Sequence, residues 1–356
     1  MSISKFTQYA LGASAVAAML AGCSSGSGGG SQLAPTAGQP STIGQAVGHG
    51  HVNTFAGRGT LKQARPIRAK SWMLNAAKNN KLVYYSDAKY GTVNAYSYPD
   101  GTPMGQLTGF QEPQGMCSVP TRPQAGDIWI ASTNASQVLE YAHGGTTAID
   151  TIDTPGQYPI GCASDPLTGN LAVSNIVTTG SGAGSVTVYA SPSSSGTNYP
   201  VTIMTRVYFL TYDDLGNLFV DGSNPPNQAF LFAELPAGAS AFVPLTFPES
   251  MSFPGSVTWD GQKNGHIVVC DQNYSLCYQS QVSGSTVSVT GTFNLAGASD
   301  IVQGTAAKSK FIAPDAGLNQ LMIFKYPAGT YFRAILGVNS GGQPIGSALS
   351  LQQNGR

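Results

Sequence analysis

A short apolar run ending on a polar residue recurs six times, and its spacing constrains the fold more than any other feature of the chain. The copies are Val83-Tyr84-Tyr85-Ser86-Asp87, Ile128-Trp129-Ile130-Ala131-Ser132, Leu171-Ala172-Val173-Ser174-Asn175, Leu218-Phe219-Val220-Asp221, Ile267-Val268-Val269-Cys270-Asp271 and Phe311-Ile312-Ala313-Pro314-Asp315. Successive starts are 45, 43, 47, 49 and 44 residues apart. That is the length of one four-stranded propeller blade, a unit that buries a core only by stacking on its neighbours.

Each run has two companions. A second apolar run follows at 93–96, 138–141, 186–189, 230–233, 276–279 and 321–324. Several of these lead into turns such as Tyr98-Pro99-Asp100-Gly101, Leu235-Pro236-Ala237-Gly238 and Tyr326-Pro327-Ala328-Gly329. Proline presets such a turn and glycine accepts its positive φ. A glycine-bearing segment precedes several runs: Pro113-Gln114-Gly115-Met116-Cys117, Pro159-Ile160-Gly161-Cys162-Ala163 and Pro254-Gly255-Ser256-Val257. Glycine suits a strand crowded at an axis. The expected fold is an all-β, six-bladed propeller with four-stranded blades over residues 70–356.

A closed ring must hide its two edges. The segment Pro344-Ile345-Gly346-Ser347-Ala348-Leu349-Ser350 has no run after it. It is expected to supply the inner strand of the first blade and lock the ring. Ser71-Trp72-Met73-Leu74 competes for the same slot. Separate strands from both would make a degenerate seventh blade.

Composition agrees with many short strands: 44 Gly and 22 Pro in 356 residues supply the turns. The 41% apolar content excludes a disordered chain. A formal net charge of zero, with 10% charged residues, excludes a basic footprint for nucleic acid.

The first residues read as an export signal, 1–22. Lys5 precedes an apolar stretch from Ala10 to Leu20, too short to span a bilayer. It ends in Leu20-Ala21-Gly22-Cys23, which resembles the lipobox of bacterial lipoproteins. The resemblance implies cleavage before Cys23, a diacylglycerol on its sulfur, and attachment to a membrane through that lipid. Residues 23–69 read as a Gly/Ser-rich tether, starting Ser24-Ser25-Gly26-Ser27. The absence of Asp at Ser25 points to the outer membrane or cell surface rather than the inner membrane.

Gly169-Asn170-Leu171-Ala172-Val173-Ser174, preceded by Pro159-x-Gly161 and Asp165, resembles the NHL-type propeller repeat and its gluconolactonase-like relatives. Gly216-Asn217-Leu218-Phe219-Val220-Asp221 is a second copy, and the resemblance covers residues 70–351. It implies acidic and amide residues near the axis that hold a divalent cation. The gluconolactonase-like pattern also has a Glu near the start of the first blade, which this sequence lacks.

Four cysteines follow Cys23. Cys270 and Cys277 face each other across one hairpin, a separation that permits a bridge. Cys117 and Cys162 lie on inner segments of consecutive blades. Aligning Gly115 with Gly161 sets them one place out of step, so they point to opposite faces of their own blades. That arrangement lets them meet across a blade boundary, and both bridges are expected in an exported protein.

The polar positions Asp87, Ser132, Asn175, Asp221, Asp271 and Asp315 should gather on one rim. One reading makes them ligands for a divalent metal or a polar molecule. The other has each bond its own turn backbone. His49, His51, His143 and His266 have no Ser, Cys or carboxylate partner at an informative spacing, so no catalytic residue is assigned. Trp72, Trp129 and Trp259 read mainly as blade packing, with some available to line a binding mouth. The function expected is a monomeric, non-catalytic binding or scaffold propeller for a protein, peptide or glycan, with no cofactor. The alternative is a metal-dependent hydrolase or lyase of the gluconolactonase-like group.

Overall fold

A computed structural model describes residues 70–351, apart from 122, 179–181, 225–228 and 338–339. The signal segment, Cys23, the tether to residue 69, His49 and His51 lie outside the described residues. The described residues form six antiparallel sheets, one per blade. From axis to perimeter, blade 2 runs Pro113–Ser118, Ile128–Ser132, Gln137–Tyr141 and Ala148–Asp153. Blade 3 runs Gln157–Ser164, Leu171–Thr178, Ser185–Tyr189 and Thr197–Pro200. Blade 4 runs Arg206–Tyr212, Leu218–Asn224, Ala229–Leu235 and Val243–Leu245. Blade 5 runs Pro254–Trp259, Ile267–Asp271, Leu276–Ser283 and Thr286–Asn294. Blade 6 runs Thr305–Ala307, Lys310–Asp315, Gln320–Lys325 and Thr330–Leu336.

Blade 1 closes the ring. Pro344–Ser350 is its inner strand, paired antiparallel with Leu82–Asp87, and Thr92–Ser97 and Pro103–Thr108 follow outward. Trp72–Met73 does not compete for the inner slot. It pairs with Gly105 and Gln106 as a fifth strand on the outer edge. Gly105 makes room for it, since a Cβ there would lie 2.0 Å from the Met73 sulfur. Both end segments therefore join the same blade, and the described residues form no seventh blade.

The repeated runs are second strands, buried on both faces because each lies between two neighbouring blades. Side chains alternate across a strand, so successive residues enter different cores. Val268 and Cys270 pack with Phe311 and Ala313 of blade 6, whereas Ile267 and Val269 pack with Phe219 of blade 4. Each such aliphatic side chain contributes roughly 1.5–3 kcal/mol.

Every blade boundary also carries a hydroxyl-to-backbone hydrogen bond close to the axis. Ser86 donates to the Gln114 carbonyl, Thr133 to Pro159 and Ser174 to Tyr208. Thr211 accepts from the Trp259 N–H, Thr258 accepts from Ala306, and Thr305 donates to Ser347. Glycine permits this closeness: a Cβ on Gly346 would lie 2.4 Å from the Gln114 carbonyl oxygen. Both expected disulfides are present. Cys270–Cys277 joins directly opposed residues of the blade 5 hairpin, and Cys117–Cys162 joins the inner strands of blades 2 and 3.

Candidate functional site

Asp87, Ser132, Asp271 and Asp315 end their second strands on the rim where inner strands begin, whereas Asn175 and Asp221 lie inside Leu171–Thr178 and Leu218–Asn224, three residues short of the end. Backbone amides engage both oxygens of Asp271 and of Asp315. Asp271 accepts N–H groups from Asn273 at 3.0 Å and Tyr274 at 3.3 Å in its own turn, and from Ser252 in the loop before the inner strand. Asp315 repeats this with Leu318 at 3.0 Å, Ser299 at 3.0 Å and Asp300 at 3.2 Å. Asp87 accepts from Tyr90 and Gln343, and Ser132 accepts from Gln111. Asp221 takes the Phe209 N–H at 2.8 Å on one oxygen, while Asn175 donates to Thr187 at 3.1 Å. The Asp221 Oδ2 and Asn175 Oδ1 atoms are buried without a hydrogen-bond partner. Asp87, Asp271 and Asp315 each tie their own turn to the loop before the inner strand, which explains why Asp recurs there with the repeat, whereas Asn175 and Asp221 bond within their own sheets.

A divalent cation does not fit on Asp271 or Asp315. Both oxygens of Asp271 and of Asp315 already face N–H donors, and among the described residues no three His, Cys, Asp or Glu side chains form a metal-holding group. Glu112, which bears no mark of the repeat in the sequence, lies on the same rim. It accepts from Asn134 at 2.6 Å and Gln114 at 3.1 Å, and burial pushes its carboxyl up to about 7.

Burial likewise raises Asp315 to about 7, with Asp300 adding to the effect and the three backbone donors opposing it. An unfolded Asp titrates near ~3.9. The folded state therefore holds the extra proton, so this group's stabilising share is full below pH ~4 and is lost as pH rises towards 7. Asp315→Asn should be less stable throughout and should lose less stability between about pH 5 and 7, read as urea midpoints at the two values. Glu112 titrates in the same window, so flattening should be partial. A variant whose loss across the window equals that of the unmodified protein would contradict this assignment.

The same Asp-held turns project apolar groups. The residue three after Asp is Tyr274 in blade 5, Leu318 in blade 6 and Tyr90 in blade 1, and these are 61%, 43% and 39% exposed. They form an arc over three contiguous blades. Lys89 flanks it, held to the Gly341 carbonyl at 2.8 Å.

At the opposite end, where inner strands finish, the axis opens into a cavity of ≈ 270 Å³. One hydroxyl residue per blade lines it: Ser347, Ser118, Ser164, Thr211, Thr258 and Thr305. Trp259 and Tyr212 add aromatic surface, and the Cys117–Cys162 bridge forms a section of the wall. Burial, with Asp165 and Tyr199 adding to it, raises the Tyr212 pKa and keeps its phenol neutral. Gln303 reaches from blade 6 past Gly346 and accepts the Met116 N–H of blade 2 at 3.0 Å. On the face around this mouth, Asp165 and Asp213 hold turns that expose Leu167 and Leu215. The described histidines also lie on this side. His143 Nδ1 is 2.6 Å from the fully buried Ser350 hydroxyl, and His266 Nδ1 is 3.2 Å from Asp260.

No family model matches the sequence, and no curated protein matches it. By fold, the chain is similar to one in the crystal structure of a nidogen/laminin complex. The two are 11% identical, with 77% of this chain and 100% of that one covered at a TM-score of 0.62. It is also similar to a catalytically inactive histidine-to-alanine variant of virginiamycin B lyase from Staphylococcus aureus, solved with quinupristin. There the identity is 12%, the coverage 79% and 95%, and the TM-score 0.50. Both likenesses are of fold.

Proposed function

We propose that this chain is a non-catalytic binding propeller that docks a protein partner on the Tyr90–Tyr274–Leu318 arc. The observation carrying this reading is that one Asp-capped turn projects a large exposed apolar or aromatic side chain in three adjacent blades. Aromatic anchors of this kind dominate protein interfaces. The nidogen/laminin likeness supports it, since that related fold was crystallised in a protein–protein complex. In this reading the chain is a monomer held by a lipid on Cys23 at the outer membrane or cell surface, with the partner meeting the free rim.

The lyase likeness supports a second reading, a metal-dependent hydrolase or lyase. It is the weaker one. The rim carboxylates are engaged by backbone amides, and His143 and His266 lie on the other face, each against a side chain.

Site-specific photo-crosslinking separates the two. A benzophenone side chain at Leu318 of the full chain, in cells of the source organism, should give one discrete protein adduct that Tyr274→Asp abolishes. No adduct, or an equal one from a probe at Leu167 on the opposite face, would overturn the docking reading. A divalent ion retained in native mass spectra and lost in Asp271→Ala and Asp315→Ala would move the assignment to the hydrolase or lyase.

A further inference from the structure

We infer that the axial cavity is a separate site that seats one ring of a neutral sugar. Its lining selects this class by elimination. Among the described lining residues no Lys, Arg, Asp, Glu or His is present, so nothing balances a phosphate, a carboxylate or a cation. A purely apolar ligand would leave the open polar groups unpaired. Two of these are set by their own hydrogen bonds. Gln303 lines the cavity with its Oε1 held by the Met116 N–H, which leaves its NH₂ to donate, and Thr258 accepts from Ala306 while keeping its own proton to donate. Ser118 and Ser164 add hydroxyls that both donate and accept.

A sugar ring matches this mixture. Its edge presents hydroxyls to the Ser, Thr and Gln groups, and its C–H face stacks on an aromatic side chain such as Trp259. Size agrees, because ≈ 270 Å³ falls below the roughly 300 Å³ at which drug-sized pockets begin. The floor is also rigid. Gly115 and Gly346 hold the inner strands so close that a Cβ on either would meet the Gln303 amide oxygen at 2.8 and 2.9 Å. Gln303 therefore has one place to sit, and its donor is pre-positioned.

Saturation-transfer NMR on the intact protein tests this, with methyl glycosides of glucose, galactose, mannose and N-acetylglucosamine at about 10 mM and methyl glucuronide as the charged comparison. At least one neutral glycoside should receive transfer, and glucuronide should receive less. Gln303→Leu keeps the volume and removes the donor, and should weaken binding about tenfold or more. Trp259→Ala, at the partly exposed mouth, gives the same readout should the buried variant fail to fold. Tyr274→Ser, on the opposite rim, should leave sugar binding unchanged, so this site stands or falls independently of the protein-docking reading. Silence from all four neutral glycosides would overturn the assignment. So would glucuronide binding at least as well, or undiminished affinity in folded Gln303→Leu and Trp259→Ala.

Discussion

Truncated after Gln343, the protein should lose cooperative folding. The missing strand is seven residues long, and all seven are buried. Its register with Leu82–Asp87 fills the inner edge of blade 1. Ile345, Ala348 and Leu349 enter three different core clusters, at roughly 0.8 kcal/mol per buried CH₂. Hydrogen bonds at the 6–1 boundary go with it, Gln303 N–H to the Ile345 carbonyl, Thr305 Oγ1 to the Ser347 carbonyl and Ser347 Oγ to the Gln303 carbonyl, as does Gly346 N–H to Ser86 Oγ within blade 1. The sum rivals the whole stability of an ordinary domain, about 5–15 kcal/mol. The truncated chain would also expose a long apolar strand edge, which invites aggregation. Urea denaturation followed by circular dichroism decides it. A sharp transition within about 1 M of the full-length midpoint would show that closure is dispensable.

Removing the bridge between blades should cost more than removing the one within a hairpin. Cys117 and Cys162 are 45 residues apart and Cys270 and Cys277 are 7 apart. Loop-closure entropy gives about 4 kcal/mol for the longer loop and about 2 kcal/mol for the shorter. Connectivity works in the same direction. The hairpin cysteines are opposed within one sheet whose backbone ladder survives their loss, whereas Cys117 and Cys162 join separate sheets. Double Cys→Ser variants of each pair, compared by calorimetry under oxidising conditions, should rank in that order. An equal or reversed ranking would mean that the boundary is held chiefly by its hydroxyl bonds and apolar contacts.

The second and third strands were legible because burial on both faces leaves continuous apolar runs, as in Ile267–Asp271. The fourth strands were not. Thr197–Pro200 and Ala148–Asp153 are largely exposed, so their sequences carry little apolar periodicity. The inner strands of blades 4 and 6 lack the Pro-x-Gly sign and were also invisible; Gly304, immediately before Thr305–Ala307, is crowded by Phe311 and Ile312 of its own blade rather than by a neighbouring inner strand. The rim was legible in position, and its Asp-capped turns could be anticipated from Asp followed by turn residues. That the third residue of those turns forms an arc could not, because the alignment matters only once blades 5, 6 and 1 are neighbours. The cavity was hidden for a similar reason: Ser118, Ser164 and Thr258 are unremarkable polar strand ends until six inner strands converge. The contact between His143 and Ser350 spans 207 residues and exists only through ring closure.

The first and last strands among the described residues both belong to blade 1, one at its perimeter and the other at the axis. This matters for how the protein bears mechanical load. Tension applied through the N-terminus while a partner grips the rim falls first on Trp72–Met73, a pairing of only two residues. Its rupture works like a sacrificial stitch: it releases a few residues of slack and leaves six complete four-stranded blades. The strand that seals the ring lies at the far side of the same sheet, shielded from that first pull by the three strands between them.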